Sequence, residues 1–157
     1  MGLESYVGKE LPQIDAKKRI EADSFYQTGM YAFEKMNKSL TEDGNIIDKM
    51  SVLPAIVNTA FACELYLKSL LKNTTGHKLE DLFNAQDDIV KQFVKETIIK
   101  NNLSYTDTLF EEKLKNISNS FVNWRYFYET DKSGNTIDID FLKTFANALR
   151  LFIVFYK

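Results

Sequence analysis

The stretch that decides the fold is Ala60–Leu71, AFACELYLKSLL, followed after the four residues Lys72–Thr75 by Gly76–Phe83, GHKLEDLF. Its apolar residues fall three and four apart, the period of a helix with a buried face. Extended back through Val57, the seam reads Val57, Ala60, Glu64, Leu67, Leu71, the spacing of a helix–helix contact. One seam position carries a carboxylate. A lone carboxylate in a core costs several kcal/mol or takes up a proton, so Glu64 requires a partner.

The rest of the chain repeats the helical period. Asp15 to Leu40 forms a first helix with the stripe Ala22, Phe25, Gly29, Phe33, Met36, Leu40. The turn residues Thr41–Asn45 break it. The second helix spans Ile46 to Asn73, and Pro54 marks either a kink or its true first turn. Gly76 suits a left-handed cap for it. A short helical turn then docks Leu79, Leu82 and Phe83. A third helix covers Gln86 to Lys100 with Ile89, Val90, Phe93, Val94 and Ile98 inward. A fourth starts near Asp107, a capping residue with Glu111 and Glu112 in its first turn, along the seam Phe110, Leu114, Ile117, Phe121, Trp124, Tyr128. The last helix begins near Asp138 with the stripe Leu142, Phe145, Leu149, Phe152, Tyr156. Its final turns are apolar nearly all round, and either the N-terminal arm or a second copy of the chain could cover them. The expectation is an all-α, up-and-down bundle of four to five helices in one domain over residues 14–157, with residues 1–13 as an irregular arm.

Composition agrees. The 157 residues include only 6 Gly and 2 Pro, which disfavours a turn-rich sheet protein. Hydrophobic residues make up 45% and aromatics 13%, enough for an ordinary core. The net charge of −2 provides no global field for nucleic acid, so any such contact needs a local cleft. The one dense basic run, Lys17-Lys18-Arg19, reads as a solvated face. Cys63, the single cysteine, reads as packing and excludes an intrachain disulfide, which suits a reduced cytoplasmic setting. Neither a signal-peptide core nor a membrane-spanning run stands out, so no membrane partner is expected. One His and one Cys without paired-ligand spacing leave no metal site, and no phosphate-loop or nucleophile-elbow motif points to a cofactor.

Candidate partners for Glu64 are Lys68, one turn on in the favoured orientation, and Arg125, whose fork holds a carboxylate bidentately. Arg125 lies in Phe121–Glu129, FVNWRYFYE, with Glu129 one turn on as a competing carboxylate and Tyr126 and Tyr128 as nearby hydroxyls. His77, the single histidine, begins the docking turn. The local reading makes it a helix-entry residue hydrogen-bonded to backbone, while any histidine acid–base chemistry would have to use it. The charged seam reads either as a network fixing helix register or as a cleft for a phosphate.

The combination ACELYLKSLL, GHKLEDLF and the later WRYFYE resembles the HEPN superfamily over about residue 15 to the C-terminus. That resemblance implies a helical bundle that usually dimerises. It also implies a setting in prokaryotic defence or toxin–antitoxin systems, with metal-independent RNase activity or nucleotide binding. It places Arg125 at the arginine of the family's Arg-x4-6-His motif, Glu64 at the acidic position on the second helix that contacts it, and His77 in the family's Gly-His turn. The motif histidine would fall on Thr130, Asp131 or Lys132, none of which replaces an imidazole near neutral pH. The expectation is a non-catalytic, dimeric binding module without cofactor. Its groove of Arg125, Glu64, Glu129, Tyr126, Lys68 and His77 would take a nucleotide, RNA or a protein partner. The alternatives are a metal-independent endoribonuclease in which Arg125 stabilises the phosphorane and Glu129, Tyr126 or His77 takes the place of the lost base, with Glu64 a further catalytic candidate, and a structural subunit of a larger complex.

Overall fold

A computed structural model describes residues 10–38, 51–73, 75–102, 104–125 and 137–156, with the side chains of 37, 38 and 119–125 outside the description. Within it the chain is all-α: α1 (Ala16–Lys38), α2 (Val52–Ser69), α3 (Leu79–Asn84), α4 (Asp88–Asn101), α5 (Asp107–Arg125) and α6 (Ile139–Phe155). Six helices replace the expected four to five because the GHKLEDLF segment closes a full helix of its own. Leu79, Leu82 and Phe83 anchor it as the apolar pattern predicts.

Sequence signals start the helices. Asp15 caps α1, its Oδ1 accepting from the Lys17 and Lys18 N–H groups at 3.0 and 3.1 Å. Those bonds, led by the Lys18 backbone, hold the Asp15 carboxyl below its usual range. Pro54 sits in the first turn of α2, which decides between the two readings of that residue. Asp138 caps α6 by accepting from Phe141 N–H at 2.8 Å. At α5 the expectation shifts by one residue. Thr106, not Asp107, is the cap, its Oγ1 accepting from Leu109 N–H at 3.2 Å. Asp107 occupies the first turn and Glu111 the second.

α2 is the centre of the molecule. From Thr59 to Leu67 every residue but Phe61 is buried, so the seam is only part of what this helix packs. A helix apolar all round needs neighbours all round, and α1, α3, α5 and α6 supply them. α1 runs antiparallel to it: Asp15 N–H donates to Ser69 O, and Tyr66 reaches Asp23. Between those helices Gly29 is required. A Cβ there would lie 2.2 Å from Thr59 Oγ1 and 3.0 Å from its backbone nitrogen. On the other side Phe83, Phe110, Phe141 and Phe145 form a buried aromatic cluster with ring centroids 5.5–6.4 Å apart, spacing that favours edge-to-face and offset contacts. The expected stripe of α6 is buried through Phe152, while Val154 and Phe155 are exposed among the described residues. The described end of the arm, residues 10–13, lies at the C-terminal end of α2, beside Leu70, Leu71 and Lys72. No described helix is long and apolar enough to cross a membrane.

Candidate functional site

The carboxylate on the α2 seam is buried as the pattern requires: the Glu64 side chain is 2% exposed. Lys68, one turn later, donates to its Oε1 at 2.8 Å. That partner was legible from the four-residue spacing. A second partner was not. The Nδ1 of His77 lies 2.8 Å from the same oxygen, which replaces the expected hydrogen bond from His77 to local backbone.

The chain path explains the contact. α2 ends at Ser69, and Leu70 N–H bonds back to Leu67 O. Gly76 therefore stands too far along to cap α2, contrary to expectation. It takes φ +87° in the connection to α3, a conformation that glycine adopts without steric cost. The chain enters α3 at Leu79, three residues on, with His77 against α2. Contacts from Gln86 and from Ser118 hold this entry in place. Gln86 Nε2 donates to Leu67 O at 2.9 Å and to Leu82 O at 3.0 Å, tying α3 to the end of α2. Ser118 Oγ on α5 accepts from Glu80 N–H at 3.0 Å.

The resulting charges are uneven. Oε1 of Glu64 serves two donors, while Oε2 is buried and has no hydrogen-bond partner among the described residues. Carboxylate oxygens accept, so the shared imidazole proton sits on Nδ1 and Nε2 faces away from the pair. His77 is 63% exposed and Lys68 14%. The site thus pairs a sequestered anchor with a ring that ligands can reach.

α5 continues from Ser118 to Arg125, seven residues or about 10.5 Å farther along its axis. The Arg125 side chain, and Tyr126 and Glu129 entirely, lie outside the described residues. The expected contact of Arg125 with Glu64 or Glu129 lies there too. The structure brings together Glu64, Lys68 and His77 of the expected set. Among the described residues, no three of His, Cys, Asp and Glu gather as a metal site would require. Cys63 is fully buried, and burial raises its thiol well above the usual range, which leaves it as packing. Compared with family models, curated proteins and solved structures, the chain matches none of them.

Proposed function

We propose that this chain is a HEPN-like helical-bundle binding module. Its Glu64–Lys68–His77 corner, together with Arg125 at the end of α5, holds the phosphate of a nucleotide or of RNA. The observation that carries the reading is the buried carboxylate: one oxygen gathers two donors and the other has no partner among the described residues. Such an anchor fixes the direction of cationic side chains that would otherwise sample many rotamers. With Lys68 balancing Glu64, a guanidinium brought to the corner by Arg125 would leave it net positive. That charge favours an anion. The up-and-down arrangement, the homodimer and the defence or toxin–antitoxin setting belong to the same reading and rest on the family resemblance.

The test is binding of labelled RNA and of nucleotides to the full chain, before and after His77→Ala and Arg125→Ala. Each substitution is expected to weaken binding at least tenfold. Equal affinity in folded variants would remove the corner from consideration, and selective capture of a protein partner instead would replace the ligand class.

One observation favours a second reading, cleavage. An imidazole oriented through Nδ1 by a carboxylate presents Nε2 as an acceptor for a ribose hydroxyl proton. Arg125 would then stabilise charge on the phosphorane. Endoribonuclease activity that persists with chelator present and disappears in both His77→Ala and Arg125→Ala is the result this reading requires.

A further inference from the structure

The basic run Lys17-Lys18-Arg19 does not behave as one solvated face. Lys17 is exposed and Lys18 pairs with Asp15 at 3.2 Å, but Arg19 is only 24% exposed and turns toward Asp23. Arg150, from α6, approaches the same carboxylate. The Nε atoms of Arg19 and Arg150 lie 3.9 and 3.6 Å from Asp23 Oδ2 and Oδ1. Both are beyond hydrogen-bonding reach, and both are buried donors with no acceptor among the described residues. Two guanidiniums thus share one carboxylate, and one positive charge has no counter-charge among the described residues. The shared carboxylate and Arg150 are 35% and 37% exposed, so the cluster is open to solvent.

The cluster is also held in shape. The Tyr66 hydroxyl donates to Asp23 Oδ1 at 2.6 Å from a fully buried residue. Burial and that bond raise the Tyr66 phenol far above its usual range, so it stays a donor. Arg150 lies over the Tyr26 ring, 5.3 Å from its centroid, and the Tyr26 hydroxyl reaches Asn147 Oδ1 at 3.5 Å. Tyr66 stands two residues after Glu64, about 200° around α2, so this cluster faces away from the corner described above.

We propose that Arg19 and Arg150, spaced by Asp23, form a second anion site that takes a phosphate monoester. A phosphate monoester with three terminal oxygens can engage both guanidinium forks at once, and its negative charge offsets the positive charge that Asp23 leaves unbalanced. The source is either the phosphate of a free nucleotide or the 5′ end of an RNA.

Calorimetric titration of the full chain with inorganic phosphate, against chloride at matched ionic strength, tests it. Saturable binding is expected, weakened at least fivefold by Arg19→Gln and by Arg150→Gln. Asp23→Asn keeps an acceptor for Tyr66 while removing the competing charge, and it is expected to tighten phosphate binding at least threefold. Absence of saturable binding, or an Asp23→Asn affinity no better than wild type, overturns the site as a structural ion bridge. Should an arginine variant fail to fold, the Asp23→Asn result stands alone as the decision. Competition by a nucleoside monophosphate, compared with 5′-phosphorylated and 5′-hydroxyl RNA of one sequence, separates the two sources. Equal binding of both RNAs would overturn the RNA end as ligand.

Discussion

Glu64 and Asp138 are both carboxylates paired with a lysine, and their surroundings could hardly differ more. Asp138 is accounted for atom by atom. Oδ1 accepts the Phe141 N–H, Oδ2 takes Lys113, and its own N–H donates to Asn116. Every one of those contacts starts α6 or ties it to α5. Glu64 crowds two donors onto one oxygen and leaves the other without a partner among the described residues, in a position where the seam would accept leucine. A carboxylate that closes its own hydrogen-bond account serves the fold. One that gathers cations beside an exposed imidazole supports a role in binding.

That contrast can be broken most directly at Glu64. Glu64→Ala leaves the Lys68 ammonium largely buried without its counter-charge and should cost about 3–5 kcal/mol in urea-unfolding free energy. Adding Lys68→Met to Glu64→Leu removes both charges and should recover most of that loss while abolishing ligand binding. A double variant that recovers stability and still binds RNA would make the pair purely architectural. At Asp138 the expected cost is smaller. Asp138→Ala loses a cap and a partly exposed ion pair, about 1–2 kcal/mol by the same measurement, with ligand affinity unchanged.

The pair at Asp138 also carries a pH signature. Burial pushes its carboxyl up, but the hydrogen bonds from Lys113 and from Phe141 N–H outweigh it, and the net position is below the ordinary 3.8. A depressed folded value adds stability that is complete above the unfolded value and drains as pH falls through the folded one. Wild type should therefore lose stability more steeply than Asp138→Asn between about pH 5 and pH 3. Parallel curves would remove the pair from the acid limb. The smallest effect on stability is expected at His77: its ring is mostly in solvent, so His77→Ala should shift unfolding by no more than about 0.5 kcal/mol while binding falls. This wide gap between stability and binding separates the two carboxylates.

How much of this was readable in the sequence depended on range. The 3.6-residue period gave the helices, and α3 docks by the three residues its pattern nominates. Lys68 was found because a helix places residues four apart on one face. His77 was missed as a partner of Glu64 because its position depends on a nonhelical connection with a left-handed Gly76, and nothing in a thirteen-residue separation encodes where such a path returns. The breadth of burial on α2 was also under-read. A three-four seam describes one contact, whereas this helix has neighbours on every side. The cap of α5 falls on Thr106, one residue before the Asp107 expected from the sequence, because both residue types cap well and one residue of register is not legible in the pattern.

The tether at Gln86 has a consequence for how the Glu64 corner would respond to a ligand. Its amide clasps a carbonyl of α2 and one of α3, so the segment bearing His77 is pinned at both ends before anything binds. Little freedom is then left to surrender on capture, and the imidazole meets an incoming group already aimed. Loosening that clasp, nine residues along the chain from His77, would slacken the aim without removing a contact of the corner itself.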